Sequence, residues 1–331
     1  MKSQLIDNFN RVHTNLRISI TDQCNFRCVY CMPEDMEFME DEEVMTFDEI
    51  VHLARIFVDL GVRKVRVTGG EPLVRRDVPE LISRLCQIEG LKDISLTTNG
   101  IGLIKQAGAL YDAGLRRINV SLDTLNEAKF EQMTRRKVLS KVLEGLREAK
   151  RCGFDPIKVN AVPLRGFSDD EIVDLAAFAR ENSYQLRFIE FMPLDADDIW
   201  GKHMFIPGEE IVDKINAVFP LEPIPNEGDR KHDTAKCYRF RDNDGEIGII
   251  ASVSEPFCDQ CNRVRLTSDG KFRTCLFSLS ETDLLMHLRA GAPDGVIADM
   301  IVDAVRAKGP GHKINAADFI KPERNMSRIG G

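Results

Sequence analysis

The chain has 331 residues, 43% hydrophobic and 30% charged, a balance that supports a large buried core and excludes wholesale disorder. Its formal net charge of −8, with no basic block, excludes a nucleic-acid footprint and a basic membrane-binding surface. Met1–Arg11 lacks the apolar stretch of a signal peptide and no run nears the roughly 18 apolar residues of a span, so a cytoplasmic protein is expected, its nine cysteines serving as metal ligands and core residues rather than as disulfides.

Leu16-Arg17-Ile18-Ser19-Ile20-Thr21 alternates as a strand. Thr46 is the N-cap of a helix whose Ile50, Leu53, Ala54 and Phe57 fall at helical spacing, and Gly61 stops it. Residues 64–68 predict a second strand, followed by a helix from about Val78 to Cys86. Residues 94–98 predict a third, with a helix ending near Gly114, and 117–121 a fourth, with helical segments to Cys152 before the stop at Gly153. Residues 157–162 predict a fifth, with a helix opened by a Ser168 cap and running to Asn182, and 186–191 a sixth. Six strand–helix units in series imply a parallel sheet with right-handed crossovers, here an α/β fold read as a partial (βα)6 TIM-like barrel. A flat doubly wound sheet is the alternative, weakened by the missing G-x-G-x-x-G in the first turn. After Pro193 the pattern breaks, and Pro207, Pro220, Pro223 and Pro225 cluster before a polar run from Asn226 to Asp233. The reading therefore divides the chain into a barrel (1–226) and a C-terminal α+β extension (227–331). The extension holds short strands near 237–241 and 246–251, a cysteine-bearing loop and two helices. The tail from Lys321 to Gly331 is expected to be unstructured.

Two cysteine groups carry the chemistry. Cys24, Cys28 and Cys31 read C-x3-C-x2-C directly after the first strand, where a barrel keeps its functional loops. Zinc would want a fourth ligand; a [4Fe–4S] cluster held by three cysteines leaves one iron open. Cys258, Cys261 and Cys275 read C-x2-C-x13-C. Asp269-Gly270 signals a turn, so Arg263 and Arg265 lie on a strand with side chains on one face, a pair suited to a polyphosphate or carboxylate. A zinc ribbon with a distant fourth ligand is the alternative there.

The first motif, with Tyr30 before its last cysteine, resembles the radical S-adenosylmethionine (SAM) superfamily. There the open iron chelates SAM, and one electron splits a C–S bond to release a 5′-deoxyadenosyl radical. Thr68-Gly69-Gly70-Glu71-Pro72 resembles that superfamily's loop for the methionine amino group. Ser121 and Met192, within Asn119–Asp123 and Arg187–Pro193, resemble positions that touch SAM. The second motif, from Phe257-Cys258 through Asn262-Arg263, Arg265-Leu266-Thr267 and Asp269-Gly270 to Cys275-Leu276-Phe277, is similar to the auxiliary-cluster motif of the GTP 3′,8-cyclase family. That family begins molybdenum-cofactor biosynthesis, and its glycine tail matches Gly330-Gly331. The resemblance runs from about Asn15 to Gly331.

The resemblance implies two [4Fe–4S] clusters, SAM, and GTP with its guanine at the second cluster. Arg17, Arg66 and Lys158, which strand alternation points inward, are the expected cations for the triphosphate. Thr97, Arg263, Val264 and Arg265 are further expected GTP contacts, and Arg17, Arg263, Arg265, Gly330 and Gly331 are expected to carry catalysis. The implied reaction takes hydrogen from the ribose C3′, joins that carbon to guanine C8, and yields (8S)-3′,8-cyclo-7,8-dihydroguanosine 5′-triphosphate. A flavodoxin or ferredoxin donor, a downstream cyclic pyranopterin monophosphate synthase and a homodimer belong to the same picture. Cys86, Cys152 and Cys237 read as buried structural thiols. His13, His52, His203, His232, His287 and His312 form no ligand spacing and receive no role. The rival readings are a peptide-modifying radical SAM enzyme and a zinc-stabilised binding protein without catalysis.

Overall fold

The computed structural model describes residues 4–195, 201, 203–228, 232–242 and 245–330. Strands β1 (Asn15–Ser19), β2 (Lys64–Thr68), β3 (Asp93–Thr98), β4 (Arg117–Ser121), β5 (Ile157–Ala161) and β6 (Gln185–Ile189) pair in that order, every neighbour parallel. Their alternation has a clear physical use. Leu16, Ile18, Val65, Val67, Leu96, Ile118, Val120, Val159, Leu186 and Phe188 are buried in one apolar core with the helices. The residues between them are polar and face the barrel interior, where Arg17, Arg66, Ser95, Thr97, Arg117, Asn160 and Arg187 line a cavity. A barrel packed for stability alone fills that space with branched apolar side chains; this one keeps it open.

The helices return the chain between strands. In α1 (Phe47–Asp59) the Thr46 hydroxyl accepts from Glu49 N at 3.2 Å and the Glu49 carboxylate accepts from Thr46 N at 2.7 Å, a complete capping box. Gly61, at φ +101°, takes the chain out of it. Then come α2 (Val78–Cys86), α3 (Leu103–Asp112), α4 (Glu127–Thr134), α5 (Leu139–Arg151), α6 (Ile172–Asn182) and α7 (Gly208–Asn216). The last lies in the proline-rich stretch and begins directly after Pro207. Ser168 caps nothing: its hydroxyl accepts from Leu164 N at 3.0 Å inside a turn, and α6 starts four residues later.

The C-terminal strands complete the same sheet from both sides. Strand β9 (Glu246–Ile250) pairs parallel with β6 and carries β8 (Lys236–Phe240) and β7 (Leu221–Ile224). Strand β10 (Arg263–Leu266) pairs parallel with β1 and carries β11 (Lys271–Arg273) and β12 (Thr282–Asp283). Among the described residues the sheet thus has twelve strands, with β12 and β7 at its edges. Helices α8 (Leu284–Arg289) and α9 (Asp294–Arg306) follow.

The tail departs from expectation. Residues 326–329 form a short helix, α10 (Met326–Ile329), and Ile329 packs with Leu194, Val253, Phe277 and Ile314. Arg324 pins the segment to Asp269 at 2.7 Å and to Glu281 at 2.8 Å. These are tertiary contacts, and four helical residues leave no sequence period. Cys86 is exposed and Cys152 half-buried, so of the three unassigned thiols only Cys237 is a core residue. Among the described residues no helix is long and apolar enough to cross a membrane.

Candidate active site

The first cysteine loop leaves the C-terminal end of β1. Gly69 and Gly70, on the loop after β2, decide where it sits. A Cβ on Gly70 would lie 2.4 Å from Gln23 O and 2.6 Å from Asp22 O. Their absence lets Gly70 N donate to Thr21 O and Glu71 N to Gln23 O, both at 2.8 Å. The glycines therefore serve backbone-to-backbone packing beneath the cysteines. Phe26 stacks edge-on against Phe130 with centroids 5.7 Å apart, and Val29 N donates to Met133 O at 3.0 Å. Burial pushes the Cys24 thiol up to about 11 and Cys31 to about 12, and drives Cys28 up as well. Tyr30 donates its hydroxyl to Asp123 Oδ2 at 2.6 Å, and Asp123 Oδ1 accepts from Val162 N at 2.8 Å. Burial raises Asp123 to about 6. Glu71 is buried under the same loop, accepting from Thr98 Oγ1, Asn99 N and Leu73 N at 2.6–2.9 Å. Burial raises it to about 7.

Strand register sends the second triad to the opposite end. Arg263 pairs with Asn15 and Arg265 with Arg17 in a parallel ladder, so residues preceding β10 lie at the N-terminal mouth of the barrel. Cys258 and Cys261 precede β10. The chain then turns, runs back antiparallel as β11, and delivers Cys275 to that same mouth. Burial alone would raise the Cys261 thiol, but Arg263 and Lys308 outweigh it and bring it to about 6.

Between the mouths lies a cavity of about 350 Å³ that all six cysteines line. Tyr30, Gly70, Ser121 and Met192 line it with the first triad; Arg17, Arg66, Thr97, Arg263 and Arg265 line the rest. Burial first, and then Arg265, Arg66 and Arg263, hold Arg17 well below its ordinary value. Burial, Arg187, Arg117 and Arg263 bring Arg66 to about 9, and burial with Arg263 brings Arg265 to about 9. A guanidinium keeps its proton in practice. The shifts record first the cost of burying these cations and then their mutual repulsion, and an anion among them relieves both. Arg265 Nη1 donates to Gly330 O at 2.6 Å. Gly330 has φ +76°, and a Cβ there would meet Ser19 Cβ at 2.9 Å and Thr68 Cγ2 at 3.0 Å, so the tail enters beside the first-triad loop only as glycine.

Two expected contacts do not line this cavity. Lys158 faces inward but lines an adjoining cavity of about 190 Å³ with Arg117, Arg187 and Asp233. Burial, Arg187 and Arg117 lower its ammonium to about 7. Val264 is corrected outright: it sits between two inward arginines, so its side chain points away from the cavity and is buried in the core. Gly331 lies outside the described residues. Sequence reasoning missed Arg187, which lines both cavities; the inward alternation that selects Arg17 also selects it. It missed Lys64 by the same rule. Glu71 and Asp123 carry no periodic signal of their buried roles.

Family models match twice: the radical SAM superfamily over residues 18–179, and "Molybdenum Cofactor Synthesis C" over residues 184–314. A curated relative from Rhodopirellula baltica, named GTP 3′,8-cyclase, is 47% identical over 330 residues, covering 99% of this chain and 92% of that protein. The chain belongs to the GTP 3′,8-cyclase family. A family member from Thermodesulfovibrio yellowstonii is 44% identical over 98% of this chain and 99% of its own length, and the mitochondrial member from Arabidopsis thaliana is 43% identical, covering 100% of this chain and 84% of that protein. Among solved structures, SuiB of Streptococcus suis bound to SAM superposes with a TM-score of 0.63 at 16% identity, covering 88% of this chain and 69% of that one. That likeness, at this level of identity, shows the fold alone.

Proposed function

We propose that the chain is a radical SAM GTP 3′,8-cyclase, converting GTP to (8S)-3′,8-cyclo-7,8-dihydroguanosine 5′-triphosphate in molybdenum-cofactor biosynthesis. One observation carries the reading: two cysteine triads face each other across a cavity walled by mutually repelling arginines. A polyanionic substrate between two metal centres resolves that repulsion.

The donor sets fit. Each triad brings three thiols to one cavity, and three thiolates suit a [4Fe–4S] cluster with one open iron. Cys24, Cys28 and Cys31 would hold the first cluster and Cys258, Cys261 and Cys275 the second. When bound, the first cluster and SAM supply one-electron chemistry. The protein's own work is placement. Gly70, Ser121, Met192 and Tyr30 flank the SAM position, with Asp123 fixing the Tyr30 ring. Arg17, Arg66 and Arg187 form the cationic side that takes the triphosphate, Arg187 leading on to Lys158 in the adjoining cavity, and Thr97 adds a hydroxyl. Arg263 and Arg265 stand between the second triad and the substrate, and Arg265 also holds Gly330 at the reaction space. The closed wall keeps water from reactive species. A flavodoxin or ferredoxin donor, cyclic pyranopterin monophosphate synthase as the next enzyme, and a homodimer accompany this reading.

The test is anaerobic reconstitution followed by SAM, dithionite and GTP. The expected outcome is 5′-deoxyadenosine formation and GTP loss that depend on each other. Release of 5′-deoxyadenosine without any dependence on GTP would assign a different substrate, and untouched SAM would end the radical SAM assignment for this chain.

A further inference from the structure

His13, which the sequence leaves without a role, is fully buried at the mouth that carries the second triad. It follows a hairpin closed by the bridge between Ile6 and Val12. Its Nε2 lies 2.9 Å from Asp7 Oδ2 and its Nδ1 lies 3.5 Å from Lys308 Nζ. An ionised carboxylate only accepts and an ammonium only donates, so the ring carries its hydrogen on Nε2 and presents a lone pair at Nδ1. Lys308 has two further acceptors: Arg263 O at 3.1 Å and the Cys261 sulfur at 3.7 Å. Its three N–H groups thus meet a ring nitrogen, a carbonyl and a cysteine sulfur from residues distant in sequence.

Asp7 is the hub. It accepts from Phe9 N at 2.9 Å, Arg11 N at 3.0 Å and Arg11 Nε at 2.6 Å. The far end of Arg11 donates to Cys258 O at 2.9 Å and to Pro310 O at 2.6 Å. One buried carboxylate therefore organises two cations, and each touches a cysteine of the second triad: Arg11 the backbone of Cys258, Lys308 the sulfur of Cys261. Burying an ammonium is costly unless every N–H is satisfied. The His13 ring and the Arg263 carbonyl leave one N–H, and the Cys261 sulfur takes it. Arg263 also hydrogen-bonds the Cys261 sulfur through its backbone N–H and its side chain, while it stacks on Phe257 at 4.8 Å and lines the cavity. Lys308 is not on the cavity wall and approaches the sulfur from outside it.

Resting on the reading that Cys258, Cys261 and Cys275 hold an iron–sulfur cluster, we propose that Lys308 is a positioning residue that sets that cluster's reduction potential, held in place by the Asp7–His13 pair. An N–H donated to a ligand sulfur stabilises the more negative reduced cluster and raises the potential.

The test uses the full chain with Cys24→Ala, Cys28→Ala and Cys31→Ala, so that only the second cluster loads. Iron is counted, and the midpoint is followed by electron paramagnetic resonance during potentiometric titration. Lys308→Met is expected to change the oxidised-to-reduced ratio at a given potential about tenfold toward oxidised, a fall of about 59 mV for one electron. Lys308→Arg is expected to restore most of it. An unchanged midpoint in Lys308→Met at equal iron content overturns the proposal. Absence of iron from the triple-alanine chain itself overturns instead the second-cluster reading on which it rests. Should Lys308→Met fail to fold, 15N-lysine labelling of the triple-alanine chain decides. Coupling of one lysine nitrogen to the reduced cluster supports the proposal, and no coupling overturns it.

Discussion

The two mouths of the barrel carry the same donor set in opposite electrostatic settings. At the first, burial raises all three thiols, and the carboxylates Glu71 and Asp123 add to the cost of ionising Cys24, Cys28 and Cys31, with Arg27 and Arg136 opposing only at Cys24. At the second, burial still raises Cys258, but Arg263 and Lys308 carry Cys261 the other way, to about 6. Three cysteines therefore do not define a site; the charges around them do. The first mouth suits a cofactor that brings its own positive charge, as the sulfonium of SAM does. The second adjoins a wall of guanidiniums and suits a polyanion.

The largest expected effect separates the mouths by function. Cys28→Ala should abolish SAM cleavage and weaken SAM binding, whereas Cys261→Ala should abolish GTP consumption and leave SAM binding, read by calorimetry, unchanged. Loss of SAM binding in both variants would break the division of labour. Next comes a stability effect. The Glu190 carboxylate accepts from Gly208 N, Val253 N and Ser254 N, each at 2.8 Å, tying the C-terminal end of β6 to the segment after β9 that leads toward Cys258. Glu190→Ala strands these N–H groups and should cost about 3 kcal/mol in denaturant unfolding. An unchanged unfolding midpoint would show that this tie does not hold the two segments together.

Arg265→Ala removes a cavity cation and the hold on Gly330 together. It should lower kcat/KM for GTP on the order of 10²-fold, about 2–3 kcal/mol, and leave SAM binding, read by isothermal calorimetry, unchanged. The smallest effect is a proton count. Lys158 titrates at about 7 rather than 10.5, so between those values the unfolded chain holds a proton that the folded chain lacks. Its destabilising contribution is full below about pH 7 and fades as pH rises toward 10.5. A bound triphosphate reverses the shift, so nucleotide binding at pH 8 should take up close to one proton, measured by calorimetry in two buffers of different ionisation enthalpy. Lys158→Met should abolish the uptake; uptake that persists in this variant would place the triphosphate elsewhere.

Local patterns were legible wherever the physics is local. Strand alternation located β1 to β6 within two residues at each end, because one face meets helices and the other meets a polar interior. The Thr46 capping box and the Gly61 stop are contained within a single helix and its flanks. The cysteine spacings and the arginine pair on β10 were legible for the same reason. The same alternation placed Val264 in the core, yet the resemblance had added it to the contacts. Ser168 shows the limit of cap rules: a serine before a helical run is free to serve a turn instead.

By itself, the sequence determined the strand–helix succession, the two cysteine triads, the inward arginines and the family to which they belong, since each rests on spacing along a few dozen residues. The two clusters were expected at opposite mouths, and the tertiary structure supplied the reason: β10 lies parallel to β1 and β11 turns back. Only the tertiary structure decided the order in the tail, through Arg324 and Arg265, and the assembly of Asp7, His13 and Lys308 around the second triad. Those contacts join residues some three hundred positions apart. No local period records such a meeting; the pairing of β10 with β1 brings both ends of the chain to one mouth.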